Sequence, residues 1–161
     1  MKELSYRVGD LLTDTSIDII GHCCNCHNTF GSGIAKSIKQ MYPAAYAADT
    51  QHYKKYSGNI LGTFSKASVK RGDNTFYVYN LYGQKSYGND GNRYVDYEAI
   101  YSALTFMCAD IMGKYQDDCP SIGFPYKMAS DRAGGHFAII ETMIRVVFKD
   151  YPGKVSIVEL K

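Results

Sequence analysis

Apolar positions along the chain switch between an alternating and a helical spacing, and the switches mark the elements. Residues 4–8 read as a short strand ended by a turn at Gly9-Asp10, and residues 17–23 as a strand apolar on both faces, as buried strands of α/β proteins are. Residues 32–41 carry helical spacing. Pro43 marks the end of that helix or the start of a short second turn, and residues 44–53 read as helix again. Residues 61–69 and 75–81 read as strands, and Lys70-Arg71-Gly72-Asp73-Asn74 between them has hairpin-turn composition. Residues 83–93 form one long loop rich in helix and strand breakers. Asp96 then caps a helix whose inward stripe is Ile100, Ala103, Leu104, Met107, Cys108 and Ile111. Residues 121–126 read as a strand, Gly134-Gly135 as a loop, and residues 137–149 as a helix with Ile140, Met143, Ile144, Val147 and Phe148 inward. Residues 155–160 close the chain as a strand. This alternation predicts one α/β domain over residues 1–161 with a mixed sheet, the hairpin-like middle arguing against an all-parallel one.

Composition narrows the function classes. A 161-residue chain buries roughly two-thirds of its unfolded surface in a single core. A net charge of +2 without a dense Lys/Arg block argues against nucleic acid and membrane surfaces as partners. There are fifteen tyrosines and no tryptophan, and tyrosine fills half-buried strand positions well. The first residues lack a signal-peptide apolar region, and no run approaches transmembrane length. Five cysteines, three of them at Cys23, Cys24 and Cys26, suit reduced thiols in a cytoplasmic protein better than a disulfide framework.

The chemistry concentrates in two strand-to-helix connections. From His22 to Ala35 an apolar strand runs through a polar crossing into Gly31-Ser32-Gly33 and a helix start. Free backbone N–H groups and the helix dipole make such a turn an anion cradle, and glycines let a phosphate approach closely. A second glycine-bearing connection spans residues 129–135, and side by side the two would grip a diphosphate. Each alone is equally consistent with a simple chain turn. Asp10 reads as an acceptor for an exocyclic amine or as a turn residue. Asn25 and Asn28 read as ribose contacts or as side-chain turns, and Asn80 and Gln84 as cleft or surface residues. His22 is either an acid/base group or a satisfied structural imidazole. Asp131 and Arg132 are a tethered carboxylate or an exposed pair. His22, Cys24 and Cys26 share one face of an extended strand, but the second ligand pair of a structural zinc site is missing, so no metal is expected.

Gly9-Asp10-Leu11-Leu12, Ile20-Gly21-His22-Cys23-Cys24-Asn25-Cys26, Gly31-Ser32-Gly33-Ile34-Ala35, Phe124-Pro125-Tyr126 and Ala133-Gly134-Gly135-His136-Phe137, in that order, resemble the macro domain. The likeness spans essentially the whole chain and is greatest to the small single-domain branch of ADP-ribose-1″-phosphate phosphatases and ADP-ribosyl-glutamate hydrolases. It implies a three-layer α/β/α fold with a mixed, mostly parallel sheet and an ADP-ribose cleft at the strand C-terminal ends. By position Asp10 would hold the adenine amino group, Ile20 or Gly21 would line the adenine pocket, Leu11 is a further ligand-binding candidate, and Asn25 and Asn28 would approach the distal ribose. Gly31, Ser32, Gly33 and Ile34 would form one diphosphate loop. Ser130, Arg132, Ala133, Gly134 and Gly135 would form the other, with Phe137, Asn80 and Gln84 nearby. The hydrolase branch's lysine position holds Gln84, with Lys85 one step out of register, and its aspartate position holds Ala133.

The expected reaction is metal-independent hydrolysis of ADP-ribose-1″-phosphate, with His22, which matches a histidine implicated in the phosphatase branch, as the first catalytic candidate and Asp131, orienting water or the histidine, as the second. A non-catalytic binder or sequestering module for ADP-ribose or a related NAD-derived nucleotide, and an ADP-ribosyl-protein hydrolase, are the alternatives. The expected partner is a small-molecule nucleotide, with no cofactor, no nucleic acid and no membrane, and the expected state is a monomer.

Overall fold

The computed structural model describes residues 1–88, 90–130 and 133–161. Its strands are β1 (Ser5–Gly9), β2 (Ile19–Cys24), β3 (Phe64–Arg71), β4 (Asn74–Tyr82), β5 (Ile122–Pro125) and β6 (Val155–Leu160). They are interleaved with helices α1 (Gly33–Met41), α2 (Pro43–Lys55), α3 (Tyr97–Lys114) and α4 (Phe137–Val147). The strands make one sheet in the order β1-β6-β5-β2-β4-β3. Every pairing is parallel except β3 with β4, so the expected mixed, mostly parallel α/β sheet is present. The β3–β4 hairpin turns on Gly72-Asp73, where Gly72 takes φ +63°, a conformation open to glycine without a Cβ clash.

Burial on both faces explains the apolar strands. Ile19, Leu81, Phe124 and Ile157 pack beneath α3 and α4 with Ile100, Leu104, Met107, Ile140 and Ile144. Ile20, Val78 and Val158 pack beneath α1 and α2 with Ile38, Tyr42 and Ala45. Helices on both faces of a sheet whose parallel strands all point one way align the strand C-terminal ends along a single rim, where ligands of such folds bind.

Local chemistry sets the boundaries. Asp96 Oδ1 accepts the Ala99 N–H at 3.0 Å and starts α3, as predicted. Pro43 begins α2 at its first position, where the missing N–H costs nothing, so only Tyr42 separates α1 from α2. β2 begins at Ile19 rather than Ile17, because the Ile17 carbonyl accepts from Arg71 Nη2 at 2.8 Å instead of joining a ladder. α4 ends at Val147, two residues short of the predicted 149. Among the described residues no helix is long and apolar enough to cross a membrane.

Candidate functional site

A cleft of about 650 Å³ opens at the C-terminal ends of β2, β4 and β5. One wall is the start of α1: Gly31, Ser32, Gly33, Ile34 and Ala35 all line it. Ser32, at the N-cap, makes no side-chain hydrogen bond to the helix, and the first turn carries no acidic residue. The first-turn N–H groups, which no intrahelical carbonyl can satisfy, are therefore left for whatever enters the cleft. Gly33 enters the helix at φ +59°, and neither Gly31 nor Gly33 has an atom within 4 Å of the position a Cβ would take. Both glycines present bare backbone to open space.

The opposite wall follows β5. Pro125, Tyr126, Lys127, Met128 and Ala129 line the cleft, and Ala133 joins them, so the two connections picked out in the sequence face one another. This turn is held by Met128 N–H to the Pro125 carbonyl at 3.0 Å and Ser130 N–H to the Lys127 carbonyl at 2.9 Å. Lys127 and Ala129 both sit in the left-handed region, at φ +61° and +60°, which non-glycine residues adopt at a cost of about 1–3 kcal/mol. Lys127 is the one charged side chain among the described lining residues.

The end of the cleft is closed by Gln84, Tyr87 and Gly88 from the β4–α3 connection. That connection is tied to both walls. Cys26 N–H donates to the Lys85 carbonyl at 3.1 Å, while Tyr94 and Val95 N–H donate to the Ala133 carbonyl at 2.6 and 3.0 Å. Tyr87 meets His27 edge-on, ring centres 6.0 Å apart. Gln84 turns its amide nitrogen to the Ser86 carbonyl at 2.8 Å.

Of the residues singled out from the sequence, the cleft is lined by Asn25, Gly31, Ser32, Gly33, Ile34, Gln84 and Ala133. Asn25 also shapes its own loop, accepting from His27 N–H and donating to Thr29 Oγ1, both at 2.9 Å. Asp131 and Arg132 lie outside the described residues.

The remaining candidates are placed elsewhere, each for an identifiable reason. Asp10 forms the turn after β1, its Oδ1 accepting from Leu12 N–H at 2.9 Å. Leu11 and Ile20 are core residues under α1 and α2. Gly21 makes room for Phe124, whose ring would lie 2.5 Å from an added Cβ. Asn28 points at α2, where its Nδ2 donates to Asp49 Oδ2 at 2.8 Å. Ser130 Oγ donates to the Met128 carbonyl. Gly134 and Gly135 have no room for a side chain: an added Cβ would sit 2.6 Å from the Asn92 carbonyl and 2.5 Å from that of Ala129. Phe137 supports the wall from behind, edge-on to Tyr126 at 5.3 Å.

His22 requires the largest correction. It is fully buried, does not line the cleft, and lies under α2 with Asn80. Asn80 Nδ2 donates to the Ala45 carbonyl at 3.0 Å and to Ser65 Oγ at 2.9 Å, so its Oδ1 is the atom facing His22 Nε2 at 2.7 Å. That oxygen can only accept, so Nε2 carries the proton, and the Cys24 sulfur lies against the ring, 3.5 Å from Nε2 and 3.7 Å from Nδ1. Burial pushes the imidazole down to a pKa of about 4, against the Asn80 hydrogen bond. A neutral, enclosed imidazole neither reaches nor activates a water in the cleft. The neighbouring thiols are equally quiet at neutral pH. Burial pushes Cys23 up to about 12 and Cys26 to about 11, and holds Cys24 well above the ordinary range.

Sequence reasoning missed the β5-side wall of Tyr126, Lys127 and Met128, and missed Tyr87. The signal for the wall was its position directly after a buried strand. For Tyr87 it was an aromatic residue inside a breaker-rich loop.

No family model matches the chain. The ADP-ribose 1″-phosphate phosphatase of Meyerozyma guilliermondii is 36% identical over 64 residues, which are 38% of this chain and 37% of that protein. The chain thus matches little more than a third of that relative's length. The macrodomain of Mycobacterium tuberculosis DarG superposes with a TM-score of 0.78 at 18% identity, over 98% of this chain and 97% of that one. Thermosipho africanus DarTG, solved in complex with ADP-ribose, superposes with a TM-score of 0.73 at 14% identity, over 96% of this chain and 41% of that one.

Proposed function

We propose that this chain, a macrodomain by fold, binds ADP-ribose across the cleft and hydrolyses ADP-ribose-1″-phosphate to ADP-ribose and phosphate. The observation that carries the reading is the uncapped start of α1 facing the β5-side turn across one cleft. Backbone N–H groups and a helix dipole suit a diphosphate, and the glycines give it close approach. The names of the curated relatives supply the 1″-phosphate, and the nucleotide in the DarTG complex supplies the ADP-ribose.

In the hydrolysis a water oxygen attacks phosphorus, the P–O1″ bond breaks, and the sugar oxygen leaves with a proton. Fixed dipoles and positioning are the main contributors, since they stabilise phosphoryl charge without reorganising. Asp131 is the proposed carboxylate that orients the water, and His22 is left out of the step. Catalytic mixing of ADP-ribose-1″-phosphate with the protein is expected to release phosphate and ADP-ribose in equal amounts. Absence of both ADP-ribose binding and phosphate release overturns the reading.

A second reading, a binding module without turnover, is favoured by one observation. Among the described lining residues there is no carboxylate and no imidazole. The same assay separates the two: calorimetric binding of ADP-ribose with no phosphate released from the 1″-phosphate assigns the module.

Among the described lining residues Lys127 supplies the positive charge in this scheme. Lys127→Ala is expected to weaken ADP-ribose binding about fivefold, the worth of a solvent-screened charge contact of about 1 kcal/mol. Its salt dependence should flatten as well. Titrations at low and high ionic strength check both, and an unchanged affinity and salt slope remove Lys127 from the site.

A further inference from the structure

The carboxylate of Asp49, on α2, is fully buried, and no cation pairs with it among the described residues. The ion pairs among the described residues are Arg7–Asp14, Lys66–Asp110 and Arg145–Glu141. Its oxygens are held by neutral donors instead, Tyr82 OH on Oδ1 at 2.6 Å and Asn28 Nδ2 on Oδ2 at 2.8 Å. Burying a carboxylate this way is costly, and a well-packed apolar residue would serve stability as well.

What the carboxylate holds is the loop ahead of the glycines. Asn28 sits at φ +58°, in the left-handed region. Its side chain donates to Asp49 and to Thr50 Oγ1, and its carbonyl accepts from Tyr46 OH at 2.9 Å. Tyr46, Asp49 and Thr50 lie three and four residues apart, on one face of α2, so a single helix face grips Asn28 from both its ends. Two residues on, Phe30 lies edge-on between His22 and Tyr46, ring centres 5.4 and 5.1 Å away, and the next residue is Gly31 in the cleft wall.

We infer that Asp49 is a positioning residue for the diphosphate cradle: through Asn28 it sets where the Gly31–Gly33 backbone stands, without touching the ligand. The inference rests on the proposed ADP-ribose site. It also explains why Asn28, expected at the ribose, faces the protein interior.

Asp49→Asn tests it. The variant keeps the acceptor for Tyr82 but turns an amide against the Asn28 amide, donor to donor. In D49N, ADP-ribose affinity is expected to fall at least tenfold at 10–15 °C under conditions where near-ultraviolet circular dichroism shows a native fold. The exchange, N28D with D49N, restores one acceptor facing one donor and is expected to bring affinity back to within about threefold of wild type. A merely stabilising role would lower the melting temperature and leave affinity at low temperature unmoved. Wild-type affinity in folded D49N, or a folded exchange variant that stays weak, overturns the inference. Where D49N does not fold, Asn28→Gly keeps the left-handed backbone free of strain and cuts the same link, with the same tenfold loss expected and unchanged affinity refuting it. Amide exchange at Gly31 and Gly33 without ligand separates the two claims. Faster exchange in the variant supports positioning even if wild type fails to bind ADP-ribose, and unchanged exchange counts against it.

Discussion

Gly33→Val is expected to weaken ADP-ribose binding at least 100-fold while the protein remains folded. Gly33 stands at φ +59° at the mouth of α1 with nothing within 4 Å of where a Cβ would project. A β-branched residue takes that conformation at a cost of about 1–2 kcal/mol. It escapes the cost only by rotating the peptide, which turns the N–H groups of the cradle away. Each such donor to a charged phosphate is worth about 1.5–3 kcal/mol, and the isopropyl group fills space the phosphate needs. Two of these losses together exceed the roughly 2.7 kcal/mol that a 100-fold change represents. Because the added atoms point into open cleft rather than core, the melting temperature should change by only a few degrees. Calorimetric titration alongside thermal melting checks this, and affinity within tenfold of wild type would be evidence that the cradle does not hold the ligand.

His22→Ala carries the largest expected effect on stability. The substitution leaves the Asn80 Oδ1 acceptor unpaired inside the core and opens a cavity against Phe30 and Cys24. Together these are expected to cost about 3–5 kcal/mol, read from urea unfolding at pH 7.5. The wild-type imidazole also predicts a pH dependence with a definite sign. Its folded-state pKa, about 4, lies below the ordinary 6.5, so below pH 6.5 the unfolded chain binds a proton the folded one refuses. The stability this residue contributes is therefore complete above pH 6.5 and is lost progressively as pH falls toward 4, by about 3 kcal/mol in all. In His22→Ala that part of the profile should vanish, so the gap between wild type and variant narrows on acidification. A gap that stays constant from pH 7 to 4.5 would show that the imidazole is not held neutral. The folded fraction of the variant should still release phosphate, since the proposed step does not use His22.

Much of this fold was legible because the residues that decide it act locally. Asp96 caps its helix with its own side chain, Gly72 makes the hairpin turn, and residues 155–160, apolar on both faces for most of their length, are β6 to the residue. The boundaries that shifted were settled by distant partners: Arg71 takes the Ile17 carbonyl out of the ladder across the sheet. The cleft divided along the same line. Gly31 to Ile34 were readable as a cleft wall because a strand, glycines and a helix start follow one another directly in the chain. His22 was misplaced because a strand's last residues look open in sequence, whereas strand alternation puts Ile20, His22 and Cys24 on the face that α1 and α2 cover. Asn28 and Asp49 are twenty-one positions apart, and only the folded chain brings them together. Gly134 and Gly135 are required by packing against Asn92 and Ala129, a need that no local pattern distinguishes from phosphate contact.

Titration of ADP-ribose into isotope-labelled protein, followed by amide chemical shifts, tests the central claim most directly. The account predicts that the amides of Gly31 to Ala35 and those of Lys127 to Ala133 shift together, on one saturation curve, and that Gly33→Val abolishes both sets. Shifts confined to one connection, or none at millimolar nucleotide, would contradict it.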